Sequence, residues 1–386
     1  MLSDIHDHVA HGRLDEAREL LYHLVAADPT HLGALWGLYE VEQALGNPSA
    51  AREAQQRALA LQAIVHVATM IRQASPQRLS RPIEVLMLCQ PGMFQANTPL
   101  EYIANGNTLR LSKWYLTDGP TPALPPYDIV FTAIGHSPDP QPALERACAF
   151  VASQDRPVVN HPRRITDLAR DHVATQFATS ERVVVPATQR ITREALARRT
   201  IDTPLLLRPL TSQAGEGLER IATPSERDRY LTMHADVATF YLSTFIDYRS
   251  NDGLYRKYRI LFLDGKAYPV HLAISPRWMI HYYNAPMSEH AWMRAEEEDF
   301  LDDLGSVFNN ERAEALEEIA MRLPFEYFAI DCSIDREGRI VLFEADTAML
   351  VHQADSIEAF PYKHRAMPRI VEALDTFFIR RLIQRL

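Results

Sequence analysis

Residues 255 to 275 read YRKYRILFLDGKAYPVHLAIS, and no other stretch limits the possible folds as tightly. Two apolar-rich runs flank Asp264-Gly265. An Asp-Gly pair accepts the positive φ angles of a two-residue turn, so the runs are predicted to fold back as an antiparallel hairpin. Strand side chains alternate between faces, which puts Lys257 and Arg259 on one face and Tyr258 and Ile260 on the other. Further strands are expected in TPLLLRPL, TFYLSTFIDY, FEYFAIDCSID and RIVLFEAD, the last two joined by a tight turn at DREGR. Helices lie between these hairpins, and a last helix is expected from about Ala366 to Leu386, so the chain after RVVVPATQRI reads as α+β.

Upstream the pattern changes. SPQRLSRP, residues 75 to 82, is a polar, proline-marked joint. IEVLMLCQP then reads as a buried parallel strand, YDIVFTAIGHSPDP as a second strand and loop, ALERACAFVASQ as an amphipathic helix and RPVVNHP as a third strand. Strands alternating with helices predict an open α/β domain over residues 82 to 162. The first 75 residues are predicted helical. GRLDEARELLYHLVAADP begins at Gly12 and GNPSAAREAQQRALALQ at Gly46, an offset of 34 with Ala17 and Ala51 in matching places. That period and composition resemble tetratricopeptide repeats. So few repeats cannot bury a core alone, so the segment is expected to pack on the rest of the chain or on another subunit.

Composition excludes several classes. Apolar residues make up 47% and charged residues 23% of the 386, which is ordinary for a folded globular chain. A net charge of −10 with scattered arginine argues against a nucleic-acid partner. Cys89, Cys148 and Cys332 are far apart and odd in number, so no zinc spacing or disulfide framework follows from them. No apolar run is long enough to span a membrane and the N-terminus is polar, so the expected location is the cytoplasm.

Three elements carry chemistry. Glu344 and Asp346, two apart on a strand, share a face, and Asp331 lies on the strand before. Such carboxylates suit a hard divalent cation, Mg²⁺ or alternatively Mn²⁺, that keeps phosphate among its ligands. In LLLRPLTSQAGEGLERI a strand ends at Arg208 and a loop with Gly215 and Gly217 follows, letting backbone N–H groups approach phosphate oxygens. In STFIDYRSNDGLYRKYRILF the cations Lys257 and Arg259 begin a strand, a pattern suited to phosphate handling.

In this order the elements resemble the ATP-grasp carboxylate–amine ligases, such as glutathione synthetase and the D-alanine ligases. VVNHPRRITDLARDHVATQFA looks like the family's junction into its nucleotide-binding part, LLLRPLTSQAGEGL like its strand and glycine loop, and Asp331 with Glu344-Ala345-Asp346 like its terminal Asp…Glu-x-Asn. The resemblance covers residues 82 to 386. It implies a pre-ATP-grasp domain at 82–162 and an ATP-grasp domain at 163–386, with lobes at about 163–245 and 246–386.

The resemblance also implies roles. ATP would be held by Arg170, Arg208 and the loop with Ser212, Gln213, Gly215 and Gly217, with Thr244, Phe245, Ile246 and Asp247 as the adenine hinge. Asp331, Glu344 and Asp346 would hold Mg²⁺. Arg259, Arg208 and Lys257 would stabilise the transferring phosphate. The expected activity is ATP-dependent formation of an amide or peptide bond through an acyl phosphate. Arginines stand where family lysines bind phosphate, and Asp346 replaces the family's Asn; a non-catalytic nucleotide-binding scaffold is the alternative. HLAISPRWMIHYYNAPM, with His271, Arg277, His281 and Tyr282, is expected to wall the acceptor site. The helical segment would recruit a peptide or a carrier-bound acid, or else form a homodimer.

Overall fold

The computed structural model describes residues 5, 7–9, 11–75, 79–138, 141–210, 212, 215–280, 284–352 and 355–384. The chain forms two compact units, one of residues 1–135, 141–163 and 378–386, the other of 136–140 and 164–377. Among the described residues no helix is long and apolar enough to cross a membrane.

The first unit opens with helices α1 (Leu14–Ala27), α2 (Leu32–Ala44) and α3 (Pro48–Leu61). Gly12 and Gly46 precede α1 and α3 with φ of 71° and 77°, the left-handed turn that glycine adopts without penalty. The helices close on small residues. Ala17, Leu21, Ala34, Leu38, Ala51 and Ala58 share one core, and a Cβ added at Gly37 would lie 2.7 Å from a Leu21 methyl.

The expectation of helix throughout residues 1–75 needs correction. IVHV forms strand β1 (Ile64–Val67); it is β-branched at three of four positions, which favours an extended chain. It pairs antiparallel with β3 (Leu109–Tyr115), a strand not anticipated because Arg110 and Lys113 interrupt its apolar pattern. The other strands are β2 (Ile83–Cys89), β4 (Ile129–Thr132) and β5 (Val158–Val159), in the order β1-β3-β2-β4-β5, with all pairs except β1–β3 parallel. Helix α4 (Pro142–Ala152) belongs to the same unit. The helical segment is docked on the loop after β2. The Tyr39 hydroxyl donates to the Gly92 carbonyl at 2.8 Å, the Gln55 side chain accepts the Gly92 N–H at 2.8 Å, and the Phe94 N–H donates to Gln43 Oε1 at 2.6 Å.

The second unit contains two sheets. The four-stranded one is antiparallel, ordered β7-β10-β8-β9: β7 (Thr188–Thr192), β10 (Thr239–Thr244), β8 (Leu205–Pro209) and β9 (Glu219–Ile221). Its core includes Leu196 of α6 (Arg193–Arg198) and Tyr230 of α7 (Pro224–Met233). A Thr223–Glu226 capping box starts α7. The five-stranded sheet is ordered β12-β11-β13-β14-β6: β12 (Lys266–Ser275), β11 (Tyr255–Leu263), β13 (Tyr327–Ile334), β14 (Ile340–Asp346) and β6 (Val183–Val184), with only β6–β14 parallel. The predicted hairpin is its β11–β12 pair, turning at Asp264 (φ 47°) and Gly265 (φ 75°). Helices α5 (Arg170–Gln176), α8 (Ala291–Asp302), α9 (Glu311–Arg322) and α10 (Pro361–Ile383) complete the set used below. α10 begins five residues before the expected Ala366 and carries Pro368 inside it.

Candidate functional site

Register in the five-stranded sheet sets one row of side chains. His271 of β12 lies opposite Arg259 of β11, Arg259 opposite Asp331 of β13, and Asp331 opposite Glu344 of β14. Directly opposed residues share a face. The β11–β12 register shifts after Arg259, and the β13–β14 register shifts after Asp331. Bulges of this kind re-aim side chains and are frequent beside active sites.

Asp331 is the knot of the row. Arg259 Nε donates to its Oδ1 at 2.7 Å, while Arg259 Nη2 and Lys257 Nζ each lie 3.0 Å from Oδ2. Burial raises the Asp331 carboxyl, but Arg259 and Lys257 overcome this and hold it well below the usual range. Glu344 is pinned by Arg170, whose guanidinium also donates to the Phe343 carbonyl at 3.3 Å. Burial pushes Glu344 up, and the charges of Arg170 and Arg208 more than reverse it. Asp346 goes the other way. Burial, with the negative charge of Glu344, raises it to about 6, although Oδ1 accepts the Ala348 N–H at 3.0 Å.

Asp331, Glu344 and Asp346 therefore do not share one open acid pocket. Among the described residues no group of three His, Cys, Asp or Glu side chains is arranged to hold a metal ion. The reason is charge pairing: three cations take up Asp331 and Glu344. The donor chemistry of Glu344 and Asp346 still fits Mg²⁺. Both are hard oxygen donors on one face, and burial together with the charge of Glu344 keeps Asp346 easily protonated until a cation lies near.

The four-stranded sheet presents a second row, of opposite sign. Arg190 of β7 and Arg208 of β8 both lie opposite Tyr241 of β10. Arg190 sits 5.8 Å from the Tyr241 ring centre. The Tyr241 hydroxyl is buried and makes no hydrogen bond among the described residues. Burial and the neighbouring Arg170 lower the Arg208 guanidinium to about 10, and Arg208 Nε donates to Ser212 Oγ at 3.1 Å. His136 stands near Arg170 and Arg190; burial and those charges depress it to about 4. Arg190, Tyr241 and His136 were not anticipated. Their sequence neighbourhoods carry no signal, and only the strand register aligns Arg190 and Tyr241 with Arg208.

The glycine loop is partly described. Gly215 and Gly217 have φ of 75° and 62°, and a Cβ on Gly217 would lie 2.7 Å from Pro209 Cδ. The Tyr230 hydroxyl donates to the Gly217 carbonyl at 2.8 Å. Gln213 lies outside the described residues, as do His281 and Tyr282. Beyond β10 the Thr244 hydroxyl accepts the Ala187 N–H at 3.1 Å. The ring of Phe245 meets Arg220 at 4.8 Å and Trp278 edge-on at 5.7 Å. Ile246 packs against the cluster of Tyr248 and Tyr255, and Asp247 pairs with Arg249 at 3.3 Å. Arg277 is exposed, its backbone N–H bound to Ser275 Oγ at 3.1 Å. His271 is buried, and burial with the Arg259 charge keeps it neutral well below the ordinary histidine range.

No protein-family model matches the chain, and no curated protein matches it. Solved structures do. A RimK-domain ATP-grasp protein from Sphaerobacter thermophilus is 16% identical, aligned over 76% of this chain and 98% of its own, with a TM-score of 0.41. D-alanyl-alanine synthetase A from Vibrio cholerae is 10% identical over 78% and 98%, with a TM-score of 0.49. The VanG D-Ala:D-Ser ligase of Enterococcus faecalis is 12% identical over 76% and 100%, with a TM-score of 0.42.

Proposed function

We propose that the protein is an ATP-dependent carboxylate–amine ligase that forms an amide or peptide bond through an acyl phosphate. The observation that carries the reading is the pair of cross-strand rows. One is cationic, with Arg190 and Arg208 around Tyr241, and the other holds Arg259, Asp331 and Glu344; Arg170 binds Glu344, and the charge of Arg208 also acts on Glu344.

A carboxylate resists amines because its oxygen leaves poorly. Transfer of the γ-phosphoryl group to that oxygen gives a leaving group, and an amine then displaces phosphate. Arg170 and Arg208 would take the phosphate oxygens, since guanidinium pairs with phosphate through two parallel hydrogen bonds. Arg259 and Lys257 already neutralise one carboxylate and offer fixed positive charge to an oxyanion developing beside it. Phe245 and Trp278 give an aromatic, partly apolar wall suited to a base. Glu344 and Asp346 would hold Mg²⁺, which supplies charge neutralisation at the phosphates when bound. The reacting acid and amine are expected to be small molecules or a peptide, and the location cytoplasmic.

A second reading, a nucleotide-binding scaffold that does not ligate, draws on the same pairing: Arg259 and Lys257 occupy both oxygens of Asp331. The test is release of ADP and phosphate from ATP with pooled amino acids and peptides. A ligase releases them only when acid and amine are both present, and a scaffold binds ATP without that dependence.

A further inference from the structure

A buried cluster behind the Arg259 row has no part in the reaction as described so far. Glu297 of α8 is fully buried. Its Oε1 accepts the Leu272 N–H of edge strand β12 at 3.1 Å, and its Oε2 accepts the Tyr362 hydroxyl at 2.5 Å. Lys363, in the first turn of α10, lies 3.2 Å from Glu297 Oε1 and 3.4 Å from Asp355 Oδ2, with its side chain 5% exposed. His352 Nδ1 lies 4.0 Å from the same Asp355 oxygen, and the His364 ring meets the Asp355 carbonyl at 2.9 Å.

These contacts run in one line, His352–Asp355–Lys363–Glu297, from a partly exposed imidazole to a sealed carboxyl. The outer end borders the proposed site. Arg259, which holds Asp331, also donates to the Leu350 carbonyl at 3.0 Å, and its charge acts on His352. Satisfying one edge-strand N–H requires no charge, and sealing an ammonium beside a carboxylate is expensive. Nor does such a pair need a histidine at the far end of a second carboxylate. Burial raises Glu297 to about 8 and lowers Lys363 to about 7. A single proton can therefore sit on either group at neutral pH.

We propose that His352 takes the proton an attacking amine must lose, and that Asp355, Lys363 and Glu297 hold that proton while phosphate leaves and then return it through His352 to solvent. This rests on the ligase reading above. As the C–N bond forms, an N–H bond breaks toward His352 and its electron pair stays on nitrogen. The C–O bond to phosphate breaks, and its electrons leave with phosphate. His352 touches the amine, while Asp355, Lys363 and Glu297 are positioning residues that act through it. The groups facing the line are Arg259 on β11, His271 on β12, Arg294 on α8, and Tyr362 and His364 on α10.

The test needs no substrate. The full chain, with ¹³Cε lysine and ¹³Cε1 histidine, is titrated by NMR, and signals are assigned by their loss in K363M and H352N. A relay predicts that Lys363 loses its proton near neutral pH rather than near its ordinary 10.5. It also predicts that K363M raises the His352 midpoint, and D355N lowers it, each by about one pH unit, a tenfold change in proton affinity. Amide spectra confirm that each variant is folded. The relay is overturned if Lys363 stays charged through neutral pH to its ordinary range, as in a static ion pair. It is equally overturned if the His352 midpoint is unmoved in both folded variants. Calorimetry with MgATP on the same samples separates the two ideas. Nucleotide uptake with unlinked titrations removes the relay alone, and absent uptake removes the ligase reading.

Discussion

Replacing Lys363 with Met leaves a buried carboxyl without its cation, and the consequence for stability depends on pH in a calculable way. Glu297 remains sealed, still accepting from Leu272 N–H and the Tyr362 hydroxyl. Burial raises its carboxyl from 4.5 to about 8. A folded-state pKa above the unfolded one contributes stability that is present below the unfolded value and lost as pH rises through the folded value. In the wild type the Lys363 ammonium, 3.2 Å from Glu297 Oε1, favours the ionised carboxylate for as long as it stays charged, up to about pH 7, and so opposes this loss. In K363M nothing opposes it. Between pH 4.5 and about 7 the variant should lose up to about 1.4 kcal/mol per pH unit relative to wild type, on the order of 3 kcal/mol in all. Urea denaturation at four pH values from about 5 to about 7 reads this as a widening gap in midpoint at constant slope. The double variant K363M/E297Q should show no widening, since Gln carries no proton to lose. A K363M deficit that is constant across the range would refute the reasoning.

Two further outcomes follow from the site. Y241F removes a buried hydroxyl that makes no hydrogen bond among the described residues, so stability should be unchanged or higher by about 1 kcal/mol; affinity for ATP should fall if the hydroxyl meets phosphate, and a clear loss of thermal stability would count against this placement. G217A sets a Cβ 2.7 Å from Pro209 Cδ at a φ of 62°, so it should cost about 1–3 kcal/mol, read as a lowered melting temperature, and weaken nucleotide uptake; a neutral substitution would show that the loop differs.

Much of this architecture was legible in the sequence because local chemistry dictated it. Asp264-Gly265 has a turn geometry that few other pairs accept, and the β11–β12 hairpin follows from it. Arg208, Glu344 and Asp346 were visible because charges on apolar strands stand out. β3 was hidden because Arg110 and Lys113 break its pattern, and β1 because four residues give no period. The partnership of Arg190, Tyr241 and Arg208 depends on strand register, which no local pattern specifies. The pairing of Asp331 with Arg259 and Lys257 was missed for a different reason. Alternation placed both cations on one face, but the face of Asp331 on a neighbouring strand is set only when β11 and β13 align.

Calorimetry of ATP binding to the full chain, with and without Mg²⁺, tests the central claim most directly. The account predicts magnesium-dependent uptake of one nucleotide. In E344Q the magnesium dependence should be lost, and the protein should remain folded. Absence of nucleotide uptake by the wild-type chain, or undiminished magnesium dependence in E344Q, would contradict it.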